Sequence, residues 1–304
     1  RPVTRTNELE GFWHRLLNRM AHIRRSNTKR GAKRNIAAHY DLGNEFYQQW
    51  LDPSMTYSSA YFATEDQPLD EAQQEKYKRI AEMLHLEPEH SVLEVGFGWG
   101  GFAEFVVKEY GCRLTGLTLS EEQLKFAGER LYKAGLSDKV DLRLQDYRDV
   151  DGQFDRIASI EMFEAVGESN WPHYFNMIHN RLGRGGEAAL QIITIDESHY
   201  SRYRRGADFI QRYIFPGGML PSVTALRSEI EQARLQIADM SSFGESYAKT
   251  LLHWRKRFVE AWSTIEPLGF DERFRRMWEM YLAYCEGGFR AKSIDVGQFK
   301  LRRI

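Results

Sequence analysis

The residues from Ser91 to Gly101 put a short β-branched run, the acid Glu94, and the alternating glycines Gly96, Gly98 and Gly100 ahead of a helix-like segment, Gly101–Tyr110. Glycine admits positive φ and lets a ligand approach the backbone closely. A helix beginning at this point offers free N–H groups. The combination suits a nucleotide-like ligand. Its spacing, E-x-G-x-G-x-G, is not the G-x-G-x-x-G of a dinucleotide site. A second chemical centre lies at Glu164, just past a strand end and flanked by Met162, Phe163, Ala165 and Val166. A carboxylate held in apolar surroundings supplies negative potential to a developing cation. Phe and Tyr crowd Tyr40–Tyr61 and 196–222, where aromatic faces can stabilise positive charge and line a greasy channel.

These residues need a scaffold, and the chain alternates strand and helix patterns to provide one. Strands are expected at Ser91–Val95, Cys112–Leu119, Val140–Gln145, Phe154–Glu161 and Glu187–Ile195. Helices are expected at Gly101–Tyr110, Ser120–Ala134 and Trp171–Leu182. Such alternation means an α/β fold with a doubly wound parallel sheet, whose ligands bind at the carboxyl ends of the strands. The second strand end carries Thr118, Leu119 and Ser120 with Gln123 close behind; these polar groups can bond ribose hydroxyls or a carboxylate. Ser120 and Gln123 also fit a capping box. The third strand end carries Asp146 and Tyr147, suited to an adenine amino group and ring face. Asp196–Ser222 is too long for an ordinary loop and reads as a helical insertion forming part of a substrate site. Helices at Lys249–Glu266 and Asp271–Phe289 and a closing edge strand at Val296–Arg303 complete the pattern.

With 304 residues and a net charge of −1, the chain can bury a large core, and no global charge points to nucleic acid. The charge is nonetheless uneven. From Gly11 to Asn35 there is no Asp or Glu but eight Lys or Arg residues, beside Trp13, Leu16, Leu17 and Met20 at helical spacing. Residues 1–35 therefore read as a basic amphipathic arm able to meet an anionic membrane surface, and 36–304 as the catalytic domain. The two cysteines, Cys112 and Cys285, make no disulfide framework and suggest a reducing compartment. No run is long and apolar enough to span a bilayer. The expectation is a cytoplasmic protein attached peripherally to the inner face of the membrane. A homo-oligomer is left open.

The glycine segment resembles motif I of S-adenosylmethionine (SAM) methyltransferases. The wider chain resembles the cyclopropane fatty acid synthases, including the mycolic acid cyclopropane synthases. The resemblance rests on His39–Tyr47, Met55–Phe62, Gly96–Gly100, Gly116–Ser120, Asp146–Arg148, Met162–Gly167, Tyr213–Gly218, Leu220–Ser222 and Gly287–Arg290, and covers roughly residues 30–304. It implies a Rossmann-like SAM-dependent methyltransferase sheet with an N-terminal helical segment and a lipid-binding insertion at 196–222. SAM would be the methyl donor, with Tyr57 and Ser58 joining Glu94, Gly96, Gly98, Gly100, Thr118, Leu119, Ser120, Gln123, Asp146 and Tyr147 around it. The substrate would be the unsaturated acyl chain of a phospholipid.

The implied chemistry is attack of the double bond on the sulfonium methyl, leaving a carbocation. Water must be kept away and a base must take a proton from the new methyl so that a ring closes. The resemblance implies a bound bicarbonate as base, held by Ser59 and Ile193 through their backbones and by Glu164, Gln191 and Tyr247. It also marks Cys285 as a candidate nucleophile, although this chemistry needs no thiolate. Three departures stand out: Gln191 where bacterial and mycobacterial members carry His, Ser59 where many carry Cys, and Phe97 in place of a cysteine between the glycines. If bicarbonate were held poorly, the expected alternative is a methyl-branched or methylene product without a ring.

Overall fold

The computed structural model describes residues 42–304 together with Gly31. The basic arm expected over 1–35, Gly31 apart, and the whole of His39–Asp41 lie outside the described residues. In chain order the elements are α1 (Asn44–Gln48), α2 (Leu69–Met83), β1 (Ser91–Val95), α3 (Gly101–Tyr110), β2 (Arg113–Thr118), α4 (Glu121–Lys133), β3 (Val140–Leu144) and β4 (Phe154–Ile160). They continue with α5 (Trp171–Arg181), β5 (Leu182–Ile195), α6 (Glu197–Tyr203), α7 (Val223–Gln232), β6 (Leu235–Ser242), α8 (Gly244–Glu260), α9 (Glu272–Arg290) and β7 (Ile294–Arg303).

The seven strands form one sheet in the order β3-β2-β1-β4-β5-β7-β6. The first five pair in parallel, as the alternation predicts, and β7 runs antiparallel to both β5 and β6. The order reverses between β1 and β4, the switch point where open sheets bind ligands. Local chemistry sets the element ends. Gly100 and Gly111 take left-handed conformations at the two ends of α3, and the Ser120 hydroxyl caps α4 by accepting from the Gln123 N–H.

Two sequence expectations change. The strand at 294–303 is not the edge: it is sandwiched between β5 and β6, and β6 is the outermost strand on that side. β6 was not expected because most of its side chains are exposed, so no apolar alternation marks it. The insertion holds α6 and one wide helical turn at Ile210–Ile214, while α7 starts after it, capped by the Ser222 hydroxyl.

An aromatic core separate from the sheet joins α1, α8 and α9. Trp50, Trp254 and Trp278 are almost wholly buried in it, with Trp50 edge-on to both partners. Edge-to-face aromatic packing adds to ordinary burial. This wall fixes α8 and α9 over the strand ends. Among the described residues, no helix is long and apolar enough to cross a membrane.

Candidate active site

A cleft of about 1040 Å³ opens over the carboxyl ends of β1, β2, β4 and β5. That is the upper end of the range for single-ligand sites, and its two halves differ in chemistry. One half is the glycine loop. Gly96, Gly98 and Gly100 have φ of +85°, +55° and +82°, the freedom the sequence pattern calls for. Glu94, Gly96, Gly98, Thr118, Leu119, Gln123 and Tyr147 line this half with Tyr57 and Ser58. The Phe97 ring lies against Gly116, where a Cβ would come within 2.8 Å of it, so Phe97 fits because position 116 is glycine.

Thr118 donates to Gln123 Oε1 at 2.8 Å and accepts from the Ser120 N–H. These three polar residues therefore form one bonded turn. The Asp146 carboxylate is engaged by the Arg148 guanidinium, at 2.8 and 2.6 Å, leaving Tyr147 and Gln145 as the neighbours that face the cleft. Tyr57 shares a 2.8 Å hydrogen bond with the Tyr281 hydroxyl. Ser58 is held from below: its hydroxyl accepts from Lys76 at 2.7 Å and its carbonyl from Gln73 at 3.0 Å. Lys76 is fully buried, and burial drives its amine down to about 7 against the pull of Glu161, Asp52 and Glu94.

The other half is apolar, walled by residues including Ile193, Phe215, Met219, Leu251, Tyr281 and Phe289. Where the halves meet lie two carboxyl groups, Glu94 buried and Glu164 half-buried with its Oε2 shielded from solvent. Glu164 Oε1 accepts from the Ile193 N–H at 2.6 Å, and its Oε2 has no protein partner. Burial, then the charge of Glu161, pushes Glu164 up to about 8. Glu94 Oε2 is likewise unpartnered, and burial pushes Glu94 up to about 8. Each carboxyl group thus keeps one oxygen that no protein group bonds, and a cationic ligand beside either would favour its charged form.

Three of the groups expected to hold a bound anion, at Ser59, Gln191 and Tyr247, all bond one carboxylate of the chain itself, that of Glu161. Glu161 Oε1 accepts from the Ser59 N–H at 2.8 Å and from Gln191 Nε2 at 2.8 Å, and its Oε2 accepts from the Tyr247 hydroxyl at 2.6 Å. Ser59, Gln191 and Tyr247 thus come together on Glu161, while Glu164 takes the fourth donor, the Ile193 N–H. Sequence reasoning missed Glu161, which ends the fourth parallel stretch one residue before the motif beginning at Met162. Its position at a strand's carboxyl end was the available signal.

Register builds this cage. Gln191 on β5 lies opposite Gln298 on β7, and Gln298 Nε2 donates to Gln191 Oε1 at 3.1 Å. That bond fixes the Gln191 amide so that its NH₂ faces Glu161. Tyr247 sits in the first turns of α8, its ring 4.4 Å from that of Phe289.

Cys285 lines the cleft, yet burial pushes its thiol up to about 12, which leaves essentially no thiolate at neutral pH. Cys285→Ala is accordingly expected to retain methyl-transfer activity within about threefold of the parent, the scale of a conservative packing change, measured by initial rates. A loss comparable to removal of a nucleophile would contradict this.

The comparisons with known proteins agree with this geometry. The model of the family described as mycolic acid cyclopropane synthetase matches residues 27–299. The chain is 42% identical over 280 residues to tuberculostearic acid methyltransferase UfaA1 of Mycobacterium tuberculosis, covering 90% of this chain and 65% of that protein. It is 41% identical over 265 residues to the cyclopropane-fatty-acyl-phospholipid synthase of Escherichia coli, covering 87% and 66%. The chain thus spans about two thirds of the length of these relatives. The structure of mycolic acid cyclopropane synthase CmaA1 complexed with SAH and CTAB superposes with a TM-score of 0.84 at 30% identity, covering 89% of this chain and 98% of that one. A sheet of the SAM-dependent methyltransferase type, a glycine loop opening onto an apolar cleft and a family model spanning nearly all the described residues lead to one assignment: the chain belongs to the mycolic acid cyclopropane synthetase family.

Proposed function

We propose that this protein transfers the methyl group of SAM to a carbon–carbon double bond in an unsaturated phospholipid acyl chain. The observation that carries the reading is the junction of the two half-clefts, where Glu94 and Glu164, each with one oxygen that no protein group bonds, line a cleft whose other half is apolar. The residues fit SAM. Gly96, Gly98 and Gly100 give close backbone approach, Thr118, Ser120 and Gln123 form a polar turn, Tyr147 offers a ring face, and Glu94 offers a free acceptor for a cationic group. SAM supplies an electrophilic methyl on a positively charged sulfur. The protein orients it, buries the acyl chain away from water, and sets Glu164 near the positive charge that the attacked alkene acquires. Tyr57, Phe215 and Tyr281, whose rings lie 6.1–6.5 Å apart in succession, present aromatic faces to that charge.

A phospholipid presented by a membrane suits the rim of the cleft. Tyr213, Met280 and Tyr284 are exposed at 62%, 54% and 48%. Arg202 and Arg205 on the neighbouring turn are also exposed. Apolar tips beside guanidinium groups match an anionic lipid surface, to which the basic arm would add.

Two product outcomes follow from the same cation. Direct proton loss from the new methyl closes a cyclopropane ring. If hydride shifts first, the same loss gives an exocyclic methylene. The second outcome draws support from one observation: the cage is filled by the tethered carboxylate of Glu161, which cannot follow the transferred methyl as a free anion would and so leaves time for the hydride to move. The deciding experiment uses deuteromethyl-labelled SAM and vesicles of cis-monounsaturated phosphatidylglycerol, with saturated vesicles as control. The expected result is one labelled carbon added per unsaturated chain and none to saturated chains, with proton NMR separating ring from methylene. Equal labelling of both lipids, or of neither, would overturn the reading.

A further inference from the structure

We propose that Glu161 is the base of the reaction, a side-chain carboxylate taking the seat that the family resemblance gives to bicarbonate. The claim rests on the methyl-transfer reading above but makes a separate statement about where the proton goes.

Three observations carry it. First, the cage is full. The Ser59 N–H, Gln191 Nε2 and the Tyr247 hydroxyl all point their hydrogens at Glu161, at 2.8, 2.8 and 2.6 Å. A donor satisfied by a buried carboxylate has nothing left for a second anion, and two anions this close in a dry site repel strongly. Bicarbonate therefore does not fit these residues as they stand. Second, the backbone is strained to put the carboxylate there. Glu161 has φ of +50°, a left-handed conformation that strains a non-glycine residue and that clusters at functional sites. Glycine would take this turn at no such cost. Third, the group is locked rather than incidental. The Glu161 N–H donates to the Gln191 carbonyl at 2.8 Å while the Gln191 side chain donates back to the carboxylate. Gln298 pins the far side of that amide, and Glu161 lines the cleft.

The step balances without any further reactant. The S–CH₃ bond breaks as the alkene π pair forms the new C–C bond, leaving the thioether and a carbocation. A Glu161 oxygen takes one proton from the transferred methyl. The released C–H pair closes the ring onto the cationic carbon, or forms the exocyclic double bond when hydride has moved first. The carboxylic acid left on Glu161 gives its proton to solvent when product leaves.

Two variants separate this base from an external one. Glu161→Gly empties the cage while suiting the left-handed backbone; Glu161→Gln fills it with a neutral isostere. In carbon-dioxide-free buffer the parent is expected to run at full rate, and both variants are expected to fall by about 10²–10³, within the range for loss of a general base. Added bicarbonate is expected to restore Glu161→Gly and leave Glu161→Gln unchanged, because only the first has an open seat. Thermal unfolding supplies a readout independent of turnover: Glu161→Gly should unfold no lower than the parent. A parent enzyme that needs bicarbonate, or a Glu161→Gly variant that runs at parental rate without it, overturns the proposal. Absence of methyl transfer by the parent under every condition would instead defeat the functional reading on which it rests.

Discussion

Replacing Glu164 by Gln is expected to lower the turnover of methyl transfer by about 10²–10³ at pH above about 8, where the carboxylate is charged, the usual cost of removing one preorganised electrostatic group. Binding of SAM should weaken far less. Gln keeps the acceptor for the Ile193 N–H, so the peptide bonded at 2.6 Å stays in place. What changes is the other oxygen, which has no partner in the protein and becomes an NH₂ group turned toward the nascent cation. The effect should therefore appear in kcat rather than in KM. A pH signature accompanies it. In the unfolded chain Glu164 titrates near 4.5, whereas burial and the charge of Glu161 push the native group up to about 8. Between those values the native state holds a proton that the unfolded chain has released. This group's contribution is thus fully present below 4.5 and is lost as pH rises through about 8. Denaturant titrations across that window should show a smaller decline for Glu164→Gln than for the parent. Unchanged turnover in the variant, or identical pH slopes, would remove Glu164 from the cation's surroundings.

The parts of this site that were legible in the sequence are those set by local backbone chemistry. Gly96, Gly98 and Gly100 take positive φ, and Ser120 caps its helix, because short-range sterics and single hydrogen bonds decide both. Four of the five parallel strands, β1, β2, β4 and β5, followed from runs apolar enough to be mostly buried, while β3, with no fully buried residue, followed from its place in the alternation. Glu161 was not legible. Its role depends on β5 lying beside β4, on β7 lying beside β5 so that Gln298 can aim Gln191, and on the first turn of α8 bringing in Tyr247. Those are long-range facts, and nothing within a few residues of Glu161 distinguishes it from a solvated acid after a strand. The outermost strand, β6, escaped for the opposite reason. Its seven paired residues all pair with β7, and with one edge free and most side chains in solvent it carries no periodic signal. Resemblance supplied Tyr247 and Gln191, while the structure supplied the group they bind.

Gly96→Ala and Gly98→Ala test how far the glycine loop is a matter of space rather than of backbone freedom alone. Both residues are left-handed, at φ of +85° and +55°, so an Ala at either should cost about 1–2 kcal/mol in conformation. They differ in surroundings. A Cβ at position 98 meets nothing within 4 Å, whereas one at position 96 would lie 2.8 Å from Met162 Cγ and 3.0 Å from its Cβ. Overpacking adds about 1–3 kcal/mol, so Gly96→Ala should lose about 2–5 kcal/mol of stability in total. Met162 is also the residue between Glu161 and the turn that carries Glu164. Pushing it aside disturbs both carboxylates at once, so Gly96→Ala should lose methyl transfer as well as SAM affinity, while Gly98→Ala should lose mainly affinity. Denaturant midpoints at constant slope, calorimetric binding of SAM, and initial rates read the three quantities separately. If the two variants behave alike, contact with Met162 is not what couples the glycine loop to the carboxylates, and the loop acts on the donor alone.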